Sequence, residues 1–309
     1  MGLLAWGGRL PGRGVGPLRP AESQRPQLQI ASGGVTSVGR VRANNEDCFR
    51  IVEPLNLFVL SDGMGGEAHG EIASALAVET IVKHCMAPAS SEDKDATLIF
   101  GDMPMAWSEK TRRLSNAVHL ANKNIHESAQ KNPEQRGMGA TVTAVWIDDA
   151  RLSLAHVGDS RAYLLRSGAL QQLTNDHSLV AEQVRRGILT PAEAERSEMQ
   201  SVLLRALGAH PEIEVDAEEH PLFGRDVLLL CSDGLTRMVT EPEIAGSLQA
   251  EPDPNKAAER LVHLANDQGG ADNITVVVVR VDMESRGWFS WLRRGAPKKS
   301  TANGAAGGN

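Results

Sequence analysis

Leu57-Phe58-Val59-Leu60-Ser61-Asp62-Gly63 is an apolar strand that ends on Ser-Asp-Gly, and Val227-Leu228-Leu229-Leu230-Cys231-Ser232-Asp233-Gly234 repeats that design much later in the chain. A third strand, Leu152–Val157, ends in Gly158-Asp159. Asp272-Asn273 stands directly before the β-forming run Ile274–Val281, and Glu46-Asp47 stands before Cys48–Val52. Thr141–Ile147 and Ala162–Leu165 complete the β-type runs. Helical spacing appears at Glu71–His84, Ser108–Ala129, Ser178–Arg186 and Asn255–Gln268; in the second, Leu114, Val118, Ala121 and Ile125 recur on one face. Strands come early, helices interrupt them and more strands follow, without regular strand–helix alternation. The expected class is α+β with largely antiparallel sheets.

Six acids therefore sit at strand ends, beside glycines that allow sharp turns and close backbone approach. One strand ending in Asp-Gly is ordinary turn chemistry. Five such sites are a pattern, because carboxylates converging at sheet edges repel unless protonated or neutralised by cations. Hard oxygen ligands suit Mg²⁺ or Mn²⁺, and the missing Cys/His spacing argues against zinc. Carboxylate clusters holding two such ions commonly serve phosphoryl chemistry.

Composition narrows the classes further. The 309 residues are 41% apolar and 23% charged, which excludes wholesale disorder. Thirty-two basic against 39 acidic residues leave a net charge of −7, which argues against a nucleic-acid binder. No apolar run approaches the ~18 residues of a membrane span. Cys48, Cys85 and Cys231 form no metal-ligand spacing and no disulfide framework, so a reducing cytoplasm is the expected home. Residues 1–28, rich in Gly, Pro and Arg, read as a disordered leader. Residues 29–282 form one patterned domain. Residues 283–309 read as a flexible tail carrying the aromatic-basic patch Gly287-Trp288-Phe289-Ser290-Trp291-Leu292-Arg293-Arg294.

The motifs also carry a family resemblance. Arg42-Ala43-Asn44-Asn45-Glu46-Asp47, Phe58-Val59-Leu60-Ser61-Asp62-Gly63-Met64-Gly65-Gly66 and Gly137-Met138-Gly139-Ala140-Thr141 are similar to segments of the type 2C (PPM) metal-dependent protein Ser/Thr phosphatases. So are His156-Val157-Gly158-Asp159-Ser160-Arg161, Leu173-Thr174-Asn175-Asp176-His177-Ser178, Cys231-Ser232-Asp233-Gly234-Leu235-Thr236 and Gly270-Ala271-Asp272-Asn273-Ile274-Thr275. They occur in the family's order, span nearly all of residues 29–282, and Asp-Gly-Met-Gly-Gly resembles the bacterial branch.

The resemblance implies a four-layer αββα sandwich of two antiparallel sheets flanked by helix pairs, with a flap insertion after His177. It implies metal-dependent hydrolysis of phosphoserine and phosphothreonine in proteins by a metal-activated water, opposing a bacterial Ser/Thr protein kinase. Two Mn²⁺ or Mg²⁺ ions are expected, with a third, weaker one. Asp62 would bridge the pair, the Gly63 carbonyl would bind the second ion, and Asp233 and Asp272 would complete the first. Glu46 and Asp47 would reach the second ion directly or through its waters. Asp159 matches the third ion's ligand, and the Ser201 backbone is aligned loosely with it. Arg42 would grip phosphate oxygens in its planar fork. Thr141 and Asn273 would orient metal-bound waters or make plain structural hydrogen bonds. The expected partners are phosphoproteins, a Ser/Thr kinase or its substrates among them, and the expected state is a monomer without a transmembrane segment.

Departures from the pattern leave the leaving-group acid open. Met64 stands where animal relatives carry histidine, so His69 or a metal-bound water is the candidate. A rival chemistry is also written in the chain, because Cys231 and Arg237 satisfy Cys-x₅-Arg, the spacing of cysteine-dependent phosphatases. Asp233 inside that loop would repel a phosphate dianion, and Cys231 ends an apolar run where burial raises a thiol pKa. A non-catalytic member of the fold would lack ligands, yet Asp62, Asp233 and Asp272 are all present. A nuclease or nucleotidyl transferase would share the carboxylates without explaining the motif order.

Overall fold

Two antiparallel sheets lie face to face, and the strand pattern shows why. The computed structural model describes residues 28–65, 69–88 and 107–283. One sheet contains β1 (Leu28–Ser37), β7 (Arg161–Arg166), β8 (Ala169–Gln172), β10 (Asp226–Cys231) and β11 (Ile274–Met283), in the order β1-β11-β10-β7-β8. The other contains β2 (Asp47–Val52), β3 (Leu57–Met64), β5 (Val142–Asp148), β6 (Arg151–Val157) and β9 (Asp216–Pro221), in the order β2-β3-β5-β6-β9. The short β4 (Gly139–Ala140) pairs with the end of β3.

An antiparallel strand with one solvated face would alternate apolar and polar residues. β3, β10 and β11 do not alternate, because both of their faces are covered. Phe58 and Leu60, Leu228 and Leu230, and Val277 and Val279 point into the layer between the sheets. Leu57 and Val59 point the other way, onto α1 (His69–Met86) and α2 (Glu109–Lys131). On the first sheet Val227, Leu229, Val276 and Val278 meet α6 (Glu241–Ala250) and α7 (Pro254–Asp267). Among the described residues three short α-helices accompany these: α3 (Leu179–Arg185), α4 (Pro191–Ala194) and α5 (Asp233–Thr236). The result is the expected four-layer αββα sandwich.

Local chemistry sets the helix ends. Ser108 caps α2 by accepting the Thr111 N–H, and Asp253 caps α7 by accepting the N–H groups of Asn255 and Lys256. Thr190 and Glu193 form a reciprocal capping box on α4, as Thr240 and Glu243 do on α6.

The observed elements exceed the sequence expectation at definite places. β1 lies outside the expected strands, because Gly33-Gly34 interrupts its pattern; Gly33 lets Asn255 at the start of α7 approach the strand closely, and Gly34 makes room for the Phe49 ring of the facing sheet. β9 is polar (Asp-Ala-Glu-Glu-His-Pro) and only partly buried, as suits a strand at the edge of its sheet. Leu28 pairs with Met283, so β1 and β11 extend one residue beyond the expected 29–282 limits. The remainder of the expected leader and tail lies outside the described residues. Among the described residues no helix is long and apolar enough to cross a membrane.

Candidate metal centre

Antiparallel pairing gathers the strand-end acids at one end of the sandwich. β2 runs against β3 with Asp47 directly opposite Asp62. β10 runs against β11, so Asp233, just past the end of β10, lies beside Asp272, just before the start of β11. The turn after β6 supplies Asp159, which is buried. Gly158 makes that turn at φ +114°, and a Cβ there would meet the Thr141 side chain at 2.5 Å.

Hydrogen bonds across the sandwich fix the cluster. Ser232 and Thr275, from the first sheet, donate their hydroxyls to Asp47 Oδ2 of the second at 2.8 and 2.6 Å. Asp47 Oδ1 is buried without a hydrogen-bond partner. Glu46 holds the same corner, where its carbonyl accepts the Gly63 N–H at 3.0 Å and the Ser74 hydroxyl at 2.6 Å. A Cβ on Gly63 would lie 2.0 Å from the Gly70 carbonyl oxygen, so only glycine lets β3 and α1 meet here.

The electrostatics are those of acids crowded away from water. Burial, joined by the charges of Asp47, Asp233, Asp159 and Asp272, pushes Asp62 well above the ordinary carboxylate range. Burial also carries Asp47 to about 7 despite its two hydroxyl donors. Burial and Asp233 carry Asp159 to about 7. Asp233 rises by burial, held back chiefly by Arg237. Six carboxylates, those of Glu46, Asp47, Asp62, Asp159, Asp233 and Asp272, thus face two nearby guanidiniums. Arg42 Nη2 lies 2.8 Å from Asp272 Oδ2; Arg237 Nη2 lies 2.5 Å from Asp233 Oδ2, and its Nη1 is 3.6 Å from Asp272 Oδ2. Fully ionised, the six acids exceed the two guanidiniums by four charges, which two divalent cations would balance. The donor set is hard oxygen throughout, and the orphaned Asp47 oxygen is a ligand in want of a cation. The residues fit a binuclear Mg²⁺ or Mn²⁺ centre, although no group of three acids is already arranged as a cage among the described residues.

The remaining expected residues divide. Arg42 reaches the cluster, is half exposed, and spends one N–H group on Asp272. His69 opens α1, near enough to Glu46 for their charges to interact. Thr141 Oγ1 accepts the Asp62 N–H at 3.0 Å, and its own N–H donates to the Asp62 carbonyl at 2.8 Å. Asn273 accepts the Glu46 N–H and donates to the Val38 and Asn44 carbonyls, so its amide is occupied with backbone, the plain structural alternative. Ser201 is exposed in a turn and shares no hydrogen bond or ion pair with the acids among the described residues.

The rival thiol site has the wrong environment. Burial pushes Cys231 up to about 12, and the arginine of the Cys-x₅-Arg spacing is paired with Asp233. Three residues of the site were missed in the sequence: Ser232, Thr275 and Arg237. The first two lie inside quoted motifs as hydroxyls next to acids. Arg237 follows Asp233 by four positions, one helical turn, which was the available signal.

The flap is tied to this end of the sandwich by a buried histidine. His177 Nδ1 accepts the Gly158 N–H at 3.1 Å, so the ring's proton sits on Nε2, which donates to Asp216 Oδ2 at 3.1 Å. Arg205 Nη1 meets the other Asp216 oxygen at 2.7 Å. Burial alone would raise Asp216, but these partners hold it well below the ordinary carboxylate range. Nearby, a cavity of about 510 Å³ opens between Met64, α2 (His126, Gln130), Arg136, Gly139 and Gly208.

Residues 36–275 match the model of a family described as protein phosphatase 2C. The chain belongs to the protein phosphatase 2C family. Among curated relatives of this phosphatase, the serine/threonine phosphatase stp of Listeria monocytogenes is 37% identical over 256 residues, covering 82% of this chain and 96% of the relative. The serine/threonine protein phosphatase PstP of Mycobacterium tuberculosis is 39% identical over 243 residues, covering 79% of this chain and 43% of that longer protein. The crystal structure of the PstP catalytic domain in complex with two manganese ions superposes with a TM-score of 0.70 at 37% identity, covering 82% of this chain and 99% of that one. Stp1 of Staphylococcus aureus gives a TM-score of 0.73 at 29% identity, with 85% and 99% covered. The phosphatase is thus of the bacterial branch, in agreement with Asp62-Gly63-Met64-Gly65-Gly66.

Proposed function

We propose that the chain hydrolyses phosphoserine and phosphothreonine esters in proteins at the Asp62 cluster, in a cytoplasm where it reverses the work of a Ser/Thr protein kinase. The observation that carries this reading is the convergence of six carboxylates from five separate strand ends on one buried corner with an orphaned oxygen. Asp62, the Gly63 carbonyl, Asp233, Asp272, Glu46 and Asp47 would hold two Mn²⁺ or Mg²⁺ ions, Asp62 between them. When bound, such ions supply positive charge to the phosphoryl oxygens and acidify a water for in-line attack.

The chain's own groups do the rest. Arg42 binds the phosphate through the N–H donors of its fork that Asp272 does not use, a planar recognition that lysine lacks. Ser232 and Thr275 hold Asp47 in one orientation, and Thr141 holds the backbone of Asp62. His69, at the start of α1, stands as candidate for proton delivery to the departing serine or threonine oxygen. The thiols of Cys48 and Cys231, neither of them in a disulfide, support action in a reducing compartment.

Preference for protein substrates is assigned to the flap, the segment from His177 to Leu207. It exposes Ile188, Met199, Val202 and Leu204, an apolar surface beside the charged Arg185 and Arg186. Both arginines bond Glu182 and remain largely exposed. One assay tests the whole reading. The metal-loaded chain is expected to hydrolyse a phosphothreonine peptide and p-nitrophenyl phosphate, to lose both activities on chelation, and to keep both after thiol alkylation. Reversing the flap charges (Arg185→Glu with Arg186→Glu) is expected to lower peptide turnover about tenfold, some 1.4 kcal/mol, and to spare the small ester. Activity lost to alkylation alone contradicts the metal chemistry, and equal loss on both substrates contradicts the flap assignment.

A further inference from the structure

Arg237 lies just beyond the Cys231–Thr236 motif, and its placement bears on the third metal ion. It caps the single-turn helix α5, its N–H donating to the Asp233 carbonyl at 2.9 Å, and its side chain folds back one turn onto the Asp233 carboxylate at 2.5 Å. The same guanidinium stands 3.6 Å from Asp272. Asp159 makes no ion pair of its own among the described residues; Asp233 and Arg237 are its strongest charged neighbours, the first repelling and the second attracting it. A third divalent ion would need Asp159 together with a free oxygen of a neighbouring acid. One oxygen of the neighbouring Asp233, Oδ2, is already taken by Arg237, and the other is the one proposed for the first ion. Ser201, the other expected contributor, is exposed and shares no bond with the acids.

We infer that Arg237 is a built-in cation standing in place of the third metal ion, so that this phosphatase binds two divalent ions where Asp159 alone would suggest three. The inference rests on the two-ion reading of the site. A guanidinium is a single charge with fixed donors, permanently tethered one turn from its carboxylate. It neutralises part of the Asp159–Asp233 repulsion without depending on metal concentration, and it denies a small hard ion the oxygen it would require. Removing it opens that oxygen.

The test counts ions rather than turnover. The full chain is titrated with Mn²⁺ by calorimetry, with equilibrium dialysis and elemental analysis as a check, and folding is followed by circular dichroism. Wild type is expected to bind two Mn²⁺. Arg237→Asn is expected to bind three, the third more weakly. Arg237→Lys keeps the charge and stays at two, and Asp159→Asn added to Arg237→Asn returns the count to two. A wild-type count of three, or a folded Arg237→Asn protein that remains at two, overturns the inference while leaving the two-ion site standing. Should Arg237→Asn fail to fold, Asp159→Asn alone decides: an unchanged count of two supports the inference, and a fall from three to two overturns it. A wild type that binds no Mn²⁺ overturns the two-ion reading and the inference with it.

Discussion

Asp62→Asn is expected to lose at least about a hundredfold in Mn²⁺-dependent phosphopeptide turnover, the scale on which a lost transition-state charge partner acts. Asparagine has the shape of aspartate, and the Asp62 backbone is held by Thr141 on one side and by the β2–β3 ladder on the other. The fold therefore survives. Its stability should change in the opposite sense to its activity. Asp62 stands directly across the ladder from Asp47, and Asp233, Asp159 and Asp272 add further like charge. Like charges directly opposite destabilise a ladder. In a chelated buffer at neutral pH the variant should melt higher than wild type. Catalytic centres commonly carry this conflict between function and stability. A fully active Asp62→Asn protein would remove the acid from the centre of the account, and an inactive one that melts far lower would assign it a merely structural role.

Gly63→Ala is expected to damage fold and site together. The added Cβ would lie 2.0 Å from the Gly70 carbonyl oxygen, 2.4 Å from the Gly70 carbonyl carbon and 2.7 Å from the Glu46 carbonyl oxygen. All three are backbone atoms, so no flexible side chain can yield; β3 and the first turn of α1 must separate. Overpacking of this kind costs about 1–3 kcal/mol. The displaced groups are the Gly63 carbonyl and Glu46, both proposed to hold the second ion. Calorimetric Mn²⁺ affinity and melting temperature should therefore fall in parallel. An alanine variant with native melting and native affinity would show that β3 and α1 are not in the described contact.

What was legible in the sequence follows from where its information is local. An apolar run ending in Asp-Gly can be read from neighbouring residues, and antiparallel pairing of such runs brings their ends together; hence the strand-end positions of Asp62, Asp233, Asp272 and Asp159 are legible in the sequence. The strands β1 and β9 escape a local reading because they depend on partners remote in sequence. β1 carries Gly33-Gly34, which local propensity counts against a strand, while its pairing with β11 over the full ten residues holds it. β9 is polar because it is an edge, and its His220 and Glu218 are only partly covered. The helix α6 could have been found locally, since Thr240 and Glu243 are three apart and form a capping box. The link of Asp47 to Ser232 and Thr275 spans 185 and 228 positions, and no periodicity reports such a contact. Arg237 stands six positions after Cys231, the spacing of a thiol loop, but its partner is the nearer Asp233, one helical turn before it.

The central claim is that the strand-end acids hold two cations. Anomalous diffraction at the manganese edge, from crystals grown with Mn²⁺, tests it directly. Two strong peaks are predicted, about 3.5–4 Å apart as in two-metal phosphoryl-transfer centres. Both should contact Asp62, one together with Asp233 and Asp272, the other with the Gly63 carbonyl on the Glu46–Asp47 side. Peaks elsewhere on the chain, or none at the Asp62 corner in crystals saturated with Mn²⁺, would contradict the account.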